Sequence, residues 1–428
     1  MACSSKEKFK LPDRYGNTGN SVWNEFTQLA IEYKPVHLAQ GFPDFPAPQH
    51  VTKTLMEVAN EDALLHQYTR GYGHPRLVNA LSELYSNLIG RKIDAFSEIL
   101  ITCGAYEALF NCIEGHTKPG DEYIVIEPFF DSYEPTVRAA GGKTVYLPLR
   151  PKPNTSDWKG PTTSADWVLD PDELASKFNS KTKAIIVNSP LNPIGKVFTI
   201  DELTTIAHLC KKWNALCISD EVYEWITYKP SKHVRMASLP GMWERTITIG
   251  TAGKTFGVTG WKVGWAYGPA NLMENLRTVH QNCVSSCNTP LQEAVARCLE
   301  LEMTRMDSAK CIFKQNAAIY EPKRDFLVEA LTQIGMKPII PEGGYFIVAD
   351  WSALENSVDL SKEPDQYKDY RFAKYLTKNA GLLGIPTSAF YSEPNKPLAS
   401  TLIRFCFVKE EETLQKAAKI LQDWRAQK

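Results

Sequence analysis

The stretch Thr251-Ala-Gly-Lys-Thr-Phe-Gly-Val-Thr-Gly-Trp-Lys-Val-Gly-Trp265 decides how the rest of the chain is read. It holds two lysines, Lys254 and Lys262, among glycines and threonines. The apolar run before it, Thr246-Ile-Thr-Ile-Gly250, reads as a buried strand. A lysine held by small residues at the end of such a strand is stripped of water. That favours the neutral amine over an ammonium that otherwise persists to a pH near ~10.4. The neutral amine is the form that attacks an aldehyde carbon. The Thr251 hydroxyl and the Lys262 ammonium suit a phosphate. A Gly-Lys-Thr run alone reads first as an ordinary surface loop, so the assignment rests on partners elsewhere in the chain.

Those partners recur just past apolar runs. Segments at 99–102, 123–126, 143–147, 183–187, 216–219 and 246–249 read as strands, and segments at 105–116, 131–140 and 201–213 as helices between them. Alternation of this kind predicts an α/β fold with an open, mostly parallel sheet, whose ligands sit beyond the carboxyl ends of the strands. Gly104-Ala-Tyr106 opens a helix directly after a strand, and the free amides of such a start form an anion site. The Tyr106 ring can stack on a flat heteroaromatic ring or serve as core. Asn188-Ser-Pro-Leu-Asn-Pro-Ile-Gly195 is a rigid turn that can hold the Asn192 amide against a ligand oxygen. Asp220, in Ser219-Asp-Glu-Val-Tyr223, needs either a helix to cap or a buried cation to face. Tyr223 lies on the same side of that turn. Arg404 interrupts the apolar strand 401–407, where it serves a ligand carboxylate or a structural ion pair.

Composition excludes several classes. At 428 residues the chain is expected to fold as two or three domains. A net charge of −1 argues against a nucleic-acid binder or a polybasic membrane partner. No apolar run approaches the ~20 residues that span a bilayer. The start carries neither an apolar signal core nor an Arg-rich presequence, so the chain as given is expected in the cytoplasm, or in mitochondria if a longer natural product has lost a leader. The ten cysteines include no Cys-x-x-Cys pair and no zinc spacing, and most read as reduced core residues, so no metal is expected. The Pro-, Ser- and Thr-rich segment 150–170 reads as a surface loop in which Trp158 and Trp167 have no assigned role. Residues 1–20 read as an extended arm and 22–33 as a helix. From about residue 305 the pattern changes to a long helical run to Gln333, a strand at 343–348, a helix at 369–378, a strand at 401–407 and a last helix at 410–424.

Taken together, Thr-x-Gly-Lys followed by Gly-Trp-Lys-Val-Gly, Asn192-Pro-x-Gly195 and the placement of Asp220 and Arg404 resemble the fold-type I aminotransferases that use pyridoxal 5′-phosphate, over nearly the whole chain. The resemblance implies a large cofactor-binding domain, 46–304, with a mostly parallel sheet of the seven-stranded kind. It also implies a small α+β domain, 305–428, joined by part of the arm segment 1–45. It assigns Lys254 as the lysine that holds the cofactor and moves the proton from substrate Cα. Asp220 would face the ring nitrogen, and Tyr223 and Asn192 the ring hydroxyl. Gly104, Ala105, Thr251, Lys262 and a Tyr68 contributed across a homodimer would hold the phosphate. Gly41, Asn192 and Arg404 would take the substrate carboxylate. Stretches such as Glu127-Pro-Phe-Phe-Asp-Ser-Tyr133 and Thr278-Val-His-Gln-Asn282 are similar to the kynurenine aminotransferase, or glutamine transaminase K, group. That group implies transfer from kynurenine, glutamine, aromatic or sulfur amino acids to a 2-oxo acid, with cysteine-S-conjugate β-lyase activity as the alternative on the same site. Trp23, Tyr106, Phe130 and Tyr345 would form an aromatic pocket. Ser285 and Ser286 depart from the group, which carries a bulky or imidazole side chain there.

Overall fold

The structure is a computed structural model that describes residues 9–16, 21–152 and 162–427. The readings made for most of the arm, for Cys3 and for Trp158 lie outside the described residues. In chain order the strands that organise the molecule are β1 (Ile99–Cys103), β2 (Glu122–Glu127), β3 (Lys143–Pro148), β4 (Thr162–Thr163), β5 (Thr182–Asn188), β6 (Leu216–Asp220), β7 (Thr246–Thr251), β8 (Val263–Tyr267), β9 (Lys337–Ile340), β10 (Phe346–Asp350), β11 (Ile385–Pro386) and β12 (Leu402–Cys406). The helices used below are α1 (Val22–Tyr33), α2 (Gly104–His116), α3 (Ala270–Cys283), α4 (Thr289–Thr304), α5 (Ile312–Gln333) and α6 (Glu411–Ala426).

Seven strands form the large sheet in the order β1-β8-β7-β6-β5-β2-β3. Every neighbour pair is parallel except those made by β8, which runs antiparallel to both β7 and β1. The inner strands are apolar on both faces, as in Ala184-Ile-Ile-Val187, because helices cover both sides. The sequence reading did not resolve β8. Its Val263-Gly-Trp-Ala-Tyr267 begins inside the glycine-rich lysine stretch, where Gly264 interrupts the apolar run. The helices α3 and α4 were likewise unread.

A second sheet, β11-β12-β10-β9-β4, carries the C-terminal part of the chain. Its core brings together Val22 and Phe26 of α1, Tyr320 and Leu327 of α5, Phe346 and Ile347 of β10, Phe405 of β12 and Leu421 of α6. The amphipathic α1 is started by Ser21, whose hydroxyl accepts from the Trp23 amide, and stopped by Lys34 in the left-handed region.

Several boundaries differ from the sequence reading. Segment 150–170 is not simply a surface loop. Arg150–Pro151 pairs with Trp167–Val168, Trp167 is buried against Leu169 and Leu174, and β4 joins the edge of the second sheet. The helical run expected from about residue 305 begins at Ile312, and the strand expected from Gly343 begins at Phe346. The helix expected over 369–378 is Lys368–Tyr375, continued by a π-helical turn. Of the cysteines, Cys103 and Cys283 are exposed, and none of those described is in a disulfide. No helix among the described residues is long and apolar enough to cross a membrane.

Candidate active site

A cavity of about 270 Å³ opens at the carboxyl ends of β1, β5, β6 and β7, where an open parallel sheet places its ligands. Its wall brings together Trp23, Gly41, Gly104, Ala105, Tyr106, Phe130, Asn192, Asp220, Tyr223, Thr251, Lys254, Lys262 and Arg404, residues spread over nearly four hundred positions of sequence.

One end is built for an anion. β1 runs into α2 through Gly104, whose φ of +77° lies in the region that favours glycine. A Cβ there would lie 3.2 Å from Lys262 Nζ, filling the space between the helix start and the lysine. The Gly104 and Ala105 amides at the start of α2, the exposed Lys262 ammonium and the Thr251 hydroxyl converge on this corner. Thr251 Oγ is held by the Val263 carbonyl at 3.0 Å and accepts from the Gly253 amide at 3.1 Å.

The floor carries a buried acid. Asp220 is the last residue of β6 and caps no helix, since turns follow it. Its Oδ2 accepts from the Tyr133 hydroxyl at 2.6 Å. Burial pushes its carboxyl up from 3.8 to about 6, with the Tyr133 hydrogen bond working in the opposite direction. Asn188 ties this strand end to the turn beside it. Its Nδ2 donates to the Asp220 carbonyl at 2.9 Å, and its Oδ1 accepts from the Asn192 amide at 2.8 Å. Tyr133 and Asn188 were not singled out from the sequence. Each lies in a quoted motif, but its partner is remote or backbone, and no local spacing signals it.

Lys254 projects from the single helical turn after β7, and its Nζ donates to the Gly41 carbonyl at 2.5 Å. Burial, together with the nearby Arg404 and Lys409 cations, brings its ammonium down from 10.5 to about 8. A Cβ on Gly41 would meet the Phe346 ring at 2.4 Å, so only glycine lets this carbonyl reach the lysine.

The opposite end is cationic. Arg404 is fully buried on β12. Its Nη1 donates to Asn192 Oδ1 and its Nη2 to the Ala39 carbonyl, both at 2.9 Å, and its Nε has no hydrogen-bond partner among the described residues. Its guanidinium carbon sits 3.9 Å from the Phe346 ring centroid, 4.7 Å from Phe390 and 5.3 Å from Trp23. Among the described residues no carboxylate is in ion-pair contact with it, so the structural ion pair left open by the sequence is absent. Burial lowers this guanidinium from 12.5 to about 10.

One aromatic expectation changes. Tyr345 is fully buried behind the cavity, with its hydroxyl on the Lys254 carbonyl at 3.2 Å, and Phe346 takes the place on the wall. In β10 successive side chains face opposite sides, so a shift of one residue exchanges which aromatic is presented. Tyr68 is 96% exposed and lies outside the cavity of its own chain. Trp23, Tyr106 and Phe130 do line the cavity, with Trp23 Nε1 donating to Asp131 at 2.7 Å.

The model of the aminotransferase class I and II family matches residues 33–421. Kynurenine--oxoglutarate transaminase 3 of Mus musculus is 51% identical over 98% of this chain and 91% of its own length. Kynurenine--oxoglutarate transaminase 1 of Homo sapiens is 45% identical over 95% and 96%. Among solved structures, Bna3p of Saccharomyces cerevisiae superposes with a TM-score of 0.89 at 31% identity, covering 100% of this chain and 99% of that one. With a family match that spans both sheets and every residue of the cavity wall except Trp23, the chain belongs to the class I and II aminotransferases, a pyridoxal-phosphate-dependent family.

Proposed function

We propose that this protein transfers the amino group of kynurenine, and of glutamine, aromatic or sulfur amino acids, to a 2-oxo acid. The observation that carries the reading is the unneutralised Arg404 at one end of a cavity whose other end is an anion cradle, with an amine and a buried acid between them. Relatives about half identical to the chain are named for kynurenine and oxoglutarate, which supports the substrate class.

The cavity fits pyridoxal phosphate. The Gly104 corner leaves room between helix start and lysine for a phosphate, and the buried acid at the floor is in no ion pair among the described residues. When bound, that group supplies an aldehyde and an electron-accepting protonated ring. Gly104, Ala105, Thr251 and Lys262 would hold its phosphate, Tyr106 would lie against its ring, and Tyr223 would meet its hydroxyl. Asn192 has committed Oδ1 to Arg404, so Nδ2 is the group it offers. Asp220 would face the ring nitrogen and favour its protonated form. Arg404 takes the α-carboxylate in a planar two-point grip, which fixes the substrate Cα toward Lys254. With its ammonium brought down to about 8, Lys254 Nζ can be neutral near physiological pH, take the Cα proton and return it. Trp23, Phe130 and Phe346 give the side chain an aromatic surround, and among the described residues no cation lines the cavity beyond Lys254, Lys262 and Arg404. The fully exposed Tyr68 would reach the phosphate of a second copy, making a homodimer with shared sites.

The deciding experiment is a substrate panel on purified protein with added pyridoxal phosphate. Formation of kynurenic acid from kynurenine supports the reading, and activity confined to aspartate or alanine overturns it.

A further inference from the structure

Behind the anion corner lies a buried carboxylate–imidazole pair that the proposed reaction does not use. Glu107 sits in the first turn of α2, and the fully buried His280 sits on α3. His280 Nδ1 lies 2.6 Å from Glu107 Oε1, and Nε2 lies 2.9 Å from the Gly71 carbonyl. A carbonyl has no proton to give. The Glu107 carboxylate already accepts from the Cys103 amide and, at 2.8 Å, from Asn111 Nδ2. Nε2 therefore donates to the Gly71 carbonyl, and one proton is held between Nδ1 and Glu107 Oε1. Burial would raise the Glu107 carboxyl, but hydrogen bonds from His280, Cys103 and Asn111 outweigh it and hold the group below its usual range. Cys287 Sγ lies close enough to complete a metal-ligating trio with the pair. Its thiol donates to the Ile101 carbonyl at 3.7 Å, and burial raises it.

The pair joins two elements. At Glu107 it braces the turn of α2 whose Gly104 and Ala105 amides face the cavity. At Gly71 it braces the loop 66–74. That loop is fastened to α3 and α4 by Thr289 Oγ1 on the Gln67 carbonyl at 2.6 Å, Tyr72 OH on Gln281 at 2.8 Å and the His74 amide on Gln292 at 2.8 Å. Its tip presents Tyr68, whose hydroxyl makes no hydrogen bond among the described residues.

We propose that Glu107 and His280 act as one positioning relay that sets two phosphate contacts at once: the helix-start amides of their own cavity and the Tyr68 hydroxyl that their loop lends to a partner subunit. The relay rests on the proposed reading that the helix start holds a phosphate and that Tyr68 crosses to a second copy. It adds a physical link between the site a subunit keeps and the contact it gives away.

Equilibrium binding of pyridoxal phosphate and, separately, of inorganic phosphate to the cofactor-free protein, followed by calorimetry, tests it. The series is wild type, His280→Gln, Tyr68→Phe and the double variant, each checked by thermal melting. Each single change is expected to weaken pyridoxal phosphate roughly 10-fold, the scale of one hydrogen bond to a charged group. The double variant should be clearly less than multiplicative, because His280 acts partly through Tyr68. A multiplicative loss, roughly 100-fold, or no loss for His280→Gln, overturns the relay. If His280→Gln does not fold, the same cycle with Glu107→Gln decides. Failure of the wild type to bind either phosphate would instead bring down the site reading, and the relay with it.

Discussion

Replacing Asp220 by Asn should make the cofactor-free protein more stable and the loaded protein far less active. The carboxyl is 8% exposed and raised from 3.8 to about 6. At about 1.36 kcal/mol for each tenfold change in acidity, keeping it ionised in the fold costs about 3 kcal/mol at pH 7. Asparagine has nearly the same shape and can still accept the Tyr133 hydroxyl, so most of that cost disappears. The sign with pH follows from the raised value. The penalty is fully present above about pH 6 and fades as pH falls toward 3.8, so the advantage of the Asp220→Asn variant should shrink to about 1 kcal/mol near pH 4.5. For a chain of this length that corresponds to a rise of roughly 3 °C in melting temperature at neutral pH. In the loaded enzyme the same change removes the partner of a buried cation, worth about 3–5 kcal/mol, or roughly a 10²- to 10⁴-fold loss in kcat. Melting of the cofactor-free forms at pH 7 and 4.5, beside kcat of the loaded forms, reads both effects. A variant that is no more stable at pH 7, or that keeps its kcat, refutes the assignment of Asp220 as a strained acid waiting for a cation.

Tyr133→Phe removes the hydrogen bond that lowers the Asp220 carboxyl, so the acid limb of the kcat/KM profile should move to higher pH; an unmoved limb separates the two residues. Arg404→Met should raise KM for amino acid substrates by roughly 100-fold or more while pyridoxal phosphate still binds, measured by steady-state kinetics and cofactor titration. In the cofactor-free protein, capture of Lys254 by a small aldehyde and borohydride, read by mass spectrometry of peptide 251–265, should rise with a midpoint near pH 8 rather than near 10.5.

Much of the site could be read from the chain because catalytic side chains sit next to local signals. Lys254, Asn192, Asp220 and Gly104 each follow an apolar run, and a run buried on both faces announces a strand whose end faces the ligand side. Arg404 stood out as the single charge in an apolar strand. The residues that escaped act across long separations. Tyr133 reaches Asp220 from 87 positions away, Asn188 uses its amide on backbone, and His280 meets Glu107 across 173 positions. Strand β8 was hidden by the glycines that let it pass close to the start of α2.

By itself the sequence determined the layered α/β plan, the strand ends at which the lysine, acid and asparagine are presented, and the presence of a single cation in the apolar β12. These depend on periodicity, glycine placement and the cost of burying a charge, all of which act over a few residues. Only the tertiary structure decided that Arg404 has no carboxylate partner among the described residues, that Phe346 and not Tyr345 lines the cavity, and that Tyr133 donates to Asp220. Those outcomes depend on register and on contacts between remote elements, which local pattern does not encode.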